Sequence, residues 1–168
     1  MLHLAAILCL LYRIKQTRNC VGLSCKTQEI YLLVFASRYW DLFLYFVSYY
    51  NTGMKVFYLG SCLCIIYLMR VQKPYCMTYD REGDSFQHFL YLIPFALLMT
   101  CLMHRDQLPG EPLADVVFNY SVSFSWWLEA VAFVPQIVML NRVRDIENLT
   151  KRFVTCLGLY RFFYILNW

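Results

Sequence analysis

Six long apolar runs, at 1–12, 30–50, 54–69, 89–103, 116–140 and 153–168, take up most of this 168-residue chain and leave only short polar connections between them. Charged residues make up 15% of the chain and the AVILMFWYC set 60%, against about 25% and about 45–50% in a typical soluble domain. A water-soluble globule so poor in charge would expose large apolar patches. The pattern reads as an all-α polytopic membrane protein, a single transmembrane domain over 1–168 with about six helices on the six runs. Several runs are shorter than the roughly 20 residues of a perpendicular span, which tilt and local thinning accommodate. Disorder, a coiled coil and a nucleic-acid-binding module are excluded, because the net charge of +4 is modest and the basic residues are dispersed.

Where the 15 basic residues sit is informative. The connections carry, in order, four (Arg13, Lys15, Arg18, Lys26), none, three (Arg70, Lys73, Arg81), one (Arg105) and four (Arg142, Arg144, Lys151, Arg152). Basic loops stay on the cytosolic side. The alternation therefore puts connections one, three and five in the cytosol, with the N-terminus lumenal or outside. Lys55, near a helix start, and Arg38 and Arg161, inside apolar runs, remain.

An arginine at mid-membrane costs about 2.5–3.5 kcal/mol on insertion scales, so it faces a wet cavity or a partner. On one helix over 30–50, Arg38, Asp41, Tyr45, Ser48 and Tyr49 would share an arc of about 100°. Arg38 and Asp41, three apart, would then be placed to pair, a bland alternative in which the two charges only ease insertion. On the last run Tyr160, Arg161, Tyr164, Asn167 and Trp168 fall within about 120°. The fifth run offers Asn119, Ser123, Trp126 and Glu129 along one side, followed by Pro135-Gln136, and the first offers His3. Such a lining suits a small ligand with a free carboxylate, which a guanidinium binds bidentately, while Tyr and Trp grip an apolar end. A histidine, whose unperturbed pKa is about 6.5, could there sense mild acid.

Other signals carry less. Five of the eight cysteines lie inside apolar runs, and no CxxC or Cys/His spacing occurs, so they read as small apolar residues rather than metal ligands or disulfides. The sequons at Asn119 and Asn148 fall within a helix and in a cytosolic connection, where they would stay unmodified. No nucleophile–base constellation or phosphate loop is present, which points away from an enzyme and from any cofactor. The apolar N-terminus lacks the basic region of a signal peptide, and both ends of the chain look clipped.

The stretch 22–28, Gly-Leu-Ser-Cys-Lys-Thr-Gln, with Ser37-Arg38-Tyr39-Trp40-Asp41-Leu42-Phe43, resembles the ER lumen protein-retaining receptors, the KDEL receptors. So do Tyr50-Asn51-Thr52 with Met54-Lys55-Val56, the stretch 127–136 ending in Pro135-Gln136, and 157–161 with Tyr164 and Asn167-Trp168. The resemblance implies a seven-helix fold related to the PQ-loop, SWEET-like sugar transporters, of which about six helices are present here. It implies a receptor that binds the C-terminal Lys-Asp-Glu-Leu or His-Asp-Glu-Leu tail of escaped ER proteins in the acidic Golgi. Such a receptor returns them in coated retrograde vesicles and releases them at neutral pH, cycling between endoplasmic reticulum and cis-Golgi membranes with a lumenal N-terminus.

By the same resemblance Arg38 holds the ligand's terminal carboxylate with Tyr39 beside it. Glu129, Tyr160 and Arg161 form the polar core that rearranges on binding, Tyr164, Asn167 and Trp168 line the pocket, and His3 is the protonation switch. The chain departs from the family at Asn119, where a pocket glutamate faces the tail's first, basic residue. It also lacks a ligand-facing arginine upstream of His3 and a further arginine, the seventh helix and the coat-recruiting tail beyond Trp168. Two alternatives follow from the residues: a PQ-loop-type transporter of small solutes, and a truncated receptor that does not function.

Overall fold

In the computed structural model the described residues are 2–43, 46, 48–104, 112–142, 154, 155, 158 and 159, the side chains of 2, 3, 43 and 142 excepted. Every regular element among them is helical. The helices are α1 (Leu2–Thr17), α2 (Cys25–Arg38), α3 (Tyr49–Arg70), a single turn α4 (Tyr75–Thr78), α5 (His88–Met103), α6 (Leu113–Val131) and α7 (Val134–Arg142), with a 3₁₀ turn at Trp40–Phe43. Two helical stretches, Tyr49–Arg70 and Leu113–Asn141, are long and apolar enough to cross a membrane.

Local chemistry sets the ends. α1 stops where Arg18 turns left-handed (φ 51°) and its N–H still reaches the Ile14 carbonyl at 3.0 Å. Gly22, with φ 76°, takes the one turn of the following loop that only glycine adopts without strain. Ser24 caps α2, its Oγ accepting the Thr27 N–H at 3.2 Å. At the other end of α2 the Tyr39 N–H closes on the Phe35 carbonyl at 2.8 Å, and the chain leaves the α-helix for the 3₁₀ turn. Past Val131 the Ala132 N–H bonds to the Glu129 carbonyl at 3.3 Å. The chain restarts as α7 with Pro135 in its first turn, where a missing N–H is harmless.

These breaks redraw two of the expected spans. The run 30–50 is divided at Tyr39, with its last two residues belonging to α3, and the run 116–140 is divided at 132–133. α1 also continues five residues beyond its apolar run, to Thr17, because Arg13 turns inward at the helix end. Its guanidinium donates to the Asn19 and Val21 carbonyls at 2.9 and 2.8 Å. Backbone carbonyls thus take a donor from each terminal nitrogen of the buried guanidinium, which offsets part of the cost of burying it.

α2 lies at the centre, packed on α3, α6 and α7, with α5 against the far side of α6. Ala6, Leu10 and Ile14 of α1, Ile30 and Val34 of α2, and Ile65 and Met69 of α3 form the core at three- and four-residue spacing. α5 shows how the molecule meets its solvent. Only His88, Leu92, Ala96 and Thr100, a strict i,i+4 stripe, are buried, whereas Phe89, Leu90, Tyr91, Leu98, Leu102 and Met103 are exposed. A soluble helix would carry polar residues on those faces. Apolar side chains on the outside and hydroxyl and imidazole groups inside mark a helix that lies against lipid.

Candidate functional site

The end of α2 and the middle of α6 bring together two charges that are 91 residues apart in the chain. Arg38, the last residue of α2, donates from Nη2 to Glu129 Oε2 at 2.5 Å and from Nε to Ser125 Oγ at 3.0 Å. The Ser125 hydroxyl itself donates a hydrogen bond to the Val122 carbonyl at 2.6 Å. Ser125 and Glu129 are one turn apart, so one face of α6 meets the guanidinium with a hydroxyl and a carboxylate. The arginine and glutamate side chains are 23% and 13% exposed, so the pair is sheltered but reachable.

The local pair that spacing suggested, Arg38 with Asp41, is not the one formed. Tyr39 ends the α-helix between them, so the two side chains no longer stand on neighbouring turns, and each finds a partner on another helix. Asp41, in the 3₁₀ turn, accepts from Lys55 Nζ of α3 at 2.8 Å. Its other oxygen, Oδ1, is buried with no hydrogen-bond partner among the described residues, as is the Trp40 Nε1–H. Lys55 also stands 5.7 Å from the centre of the Tyr39 ring, within cation–π range. Tyr39 in turn stacks on Phe35 at 5.6 Å, and Phe35 on Tyr58 at 5.2 Å. An aromatic shelf thus fixes the residue that follows Arg38.

Of the expected site residues, Arg38, Tyr39 and Glu129 come together with Ser125, Asp41 and Lys55. Asn119 lies on α6, ten residues before Glu129, and is exposed, as is Trp126. Ser123 is buried. His3 belongs to α1, but its side chain lies outside the described residues, and so do Tyr160, Arg161, Tyr164, Asn167 and Trp168. Sequence reasoning missed Ser125 and the Asp41–Lys55 pair. An unassigned lysine at the start of an apolar run was the available signal for the pair, since intramembrane charges seek partners.

A second polar cluster occupies the opposite end of α2. Asp84, 2% exposed, accepts from Ser24 Oγ at 2.9 Å, from Tyr79 OH at 2.6 Å and from the Lys26 N–H at 3.3 Å. Gln136 of α7 accepts the Ser24 N–H at 3.0 Å and donates to the Gly22 carbonyl at 2.8 Å. The connection before α2, the connection before α5 and the start of α7 are thereby fastened to one another. Burial, reinforced by the bond to the Asp84 carboxylate, pushes the Tyr79 hydroxyl well above the ordinary tyrosine range.

An all-helical bundle with lipid-facing apolar sides and an ion-paired polar site between its helices defines the class: a polytopic membrane protein built around an internal polar centre. The family model for ER lumen protein retaining receptors matches residues 19–168. The ER lumen protein-retaining receptor of Plasmodium falciparum is 44% identical over 170 residues, covering 99% of this chain and 72% of that protein. Receptor B of Arabidopsis thaliana is 45% identical over 168 residues, covering 100% and 74%. Human receptor 2 is 40% identical over 166 residues, covering 99% and 73%. The chain belongs to the ER lumen protein-retaining receptor family.

Proposed function

We propose that the chain captures soluble ER-resident proteins by a C-terminal retention tail of the Lys-Asp-Glu-Leu or His-Asp-Glu-Leu kind. It binds them in the acidic Golgi, and retrograde coated vesicles return the complex to the endoplasmic reticulum. The observation that carries this reading is the Arg38 guanidinium, sheltered yet accessible and already holding a carboxylate, that of Glu129. A peptide's terminal carboxylate is the same chemical group and competes for the same fork. Its arrival displaces Glu129, so the end of α6 and the break at 132–133 rearrange as the ligand enters. Tyr39 orients the carboxylate, while Tyr160, Arg161, Tyr164, Asn167 and Trp168 complete the pocket. Asn119, in place of an acidic side chain, relaxes preference for a basic residue at the tail's first position. Protonation of His3 favours the bound form, giving capture in acid and release near neutrality. The N-terminus is lumenal in this reading, and the basic connections face the cytosol.

The test is binding of a fluorescent peptide ending in Lys-Asp-Glu-Leu at about pH 6 and about pH 7.4, on either side of histidine titration, with the amidated peptide as control. Binding that requires the free carboxylate and weakens at neutral pH is expected, with the pH dependence lost in His3→Ala. Equal binding of the amidated peptide would remove the carboxylate from the recognition, and the receptor reading with it.

A further inference from the structure

The end of the bundle away from Arg38 holds a cleft that the peptide site does not use. Lys26 and Arg38 are the second and last residues of α2, twelve positions and therefore about 18 Å apart along its axis. A cavity of about 300 Å3 opens beside Lys26, lined by Lys26, Arg70, Tyr79 and Arg81. Among the described residues no carboxylate lines it. The nearby acids are not among the lining residues: Asp84 is buried and takes its three hydrogen bonds from Ser24, Tyr79 and the Lys26 backbone. Glu29 pairs with Arg70 and faces His88 Nε2 at 3.1 Å, and Asp80 accepts the Gly83 N–H at 2.8 Å. Glu82 is exposed in the same connection.

The donors on the cavity wall decide what fits it. Arg70 is neutralised by Glu29. The Lys26 ammonium donates to a carbonyl, that of Phe86, at 2.9 Å, and a neutral acceptor leaves its charge standing. Arg81 is exposed and forms no ion pair among the described residues. Two cationic side chains of different chain origin thus face one cavity, Arg70 keeps further N–H donors beside them, and the charges of Asp80, Glu82 and Asp84 stand outside its described lining. A phosphomonoester carries about −1.5 to −2 at pH 7 with three acceptor oxygens, whereas a phosphodiester carries a single charge. Position adds a second argument. Arg70 is the last residue of the apolar helix Tyr49–Arg70, so the cleft opens at the depth where the hydrocarbon ends and lipid phosphates lie.

We propose that this cleft is a binding site for a phosphomonoester dianion, presented by the headgroup of a membrane lipid. The site is independent of the peptide site and does not rest on the receptor reading.

The experiment titrates the detergent-solubilised chain with fluorescent short-chain phosphatidic acid, a monoester, and with phosphatidylglycerol, a diester of one charge. Phosphatidic acid should bind at least tenfold more tightly. Arg81→Ala, a change at an exposed residue, should weaken it fivefold or more, and Lys26→Gln likewise. Lys15→Ala removes an exposed cation outside the cleft and should leave affinity unchanged. Displacement by millimolar inorganic phosphate would keep the site and reassign its ligand to a soluble phosphate ester, while resistance to phosphate would keep the lipid. Equal affinity for the two lipids, or equal losses in Arg81→Ala and Lys15→Ala, would reduce the cleft to general interfacial charge and overturn the proposal. Melting curves of each variant check that the fold is retained.

Discussion

The two ends of α2 carry polar clusters of similar size and opposite character. At the Arg38 end, the groups are charged in pairs, Arg38 with Glu129 and Lys55 with Asp41, and the side chains stay 11–23% exposed. At the Lys26 end, Asp84 is 2% and Gln136 1% exposed; Asp84 bonds to Ser24 and to Tyr79, and Gln136 bonds twice to the connection before α2. The first arrangement can exchange one carboxylate for another at small cost, because the guanidinium remains bonded throughout. The second has no such exchange available, since removing Asp84 or Gln136 leaves a donor of the buried Ser24 without its acceptor. Accessibility and replaceability, rather than the number of polar groups, separate a ligand site from a fastening.

Asp84→Ala should break this contrast most severely if it is wrong. It strands Ser24 Oγ, Tyr79 OH and the Lys26 N–H together, and buried groups left unsatisfied cost about 1–3 kcal/mol each. A loss of about 3 kcal/mol or more is expected in reversible denaturation, with peptide affinity of the folded fraction unchanged. A variant that keeps its stability but loses affinity would make the Lys26 end part of the binding machinery.

Arg38→Lys should do the reverse. The charge survives but the bidentate fork does not, so peptide affinity should fall by about tenfold, or about 1.4 kcal/mol, with little change in melting temperature. Glu129→Gln sharpens the same point. With its competing carboxylate gone, Arg38 should bind the peptide more tightly, by several-fold at neutral pH in the same titration. A decrease would show that Glu129 holds the arginine in place instead of competing for it.

The smallest effect belongs to Tyr79. Its hydroxyl is raised above the unfolded value of about 10. The folded state therefore keeps a proton that the unfolded chain releases. Stability from this group is fully present below about pH 10 and is lost as pH rises beyond it. Melting temperature should fall as pH rises above about 10 in the parent, and less steeply in Tyr79→Phe. Parallel curves would mean that Tyr79 does not supply the alkaline sensitivity.

How far the sequence disclosed this molecule follows from the solvent of each part. Lipid demands apolar residues over whole helix faces, so the runs announced the helices, and Phe89, Leu98 and Leu102 face outward as such runs require. The breaks at Tyr39 and at 132–133 interrupt hydropathy nowhere, because they are made by backbone hydrogen bonds and by Pro135. Arg38 and Glu129 stood out as charges in apolar company, but their partnership spans 91 residues, and spacing favoured Asp41 only on the assumption of an unbroken helix. Lys55 and Ser125 carried no periodic signal.

α2 has 14 residues and α5 has 16, whereas α3 has 22. At 1.5 Å per residue these are about 21, 24 and 33 Å long. Tilting adapts the long helix to a thin bilayer, but nothing lengthens the short ones to match a thick one. A hydrocarbon layer of about 27 Å, as in the endoplasmic reticulum, is deformed less by this bundle than one of about 32–33 Å at the plasma membrane. Hydrophobic mismatch therefore penalises the later compartments of the secretory route. Helix length by itself biases the chain toward the thinner membranes at its beginning, with no sorting signal involved.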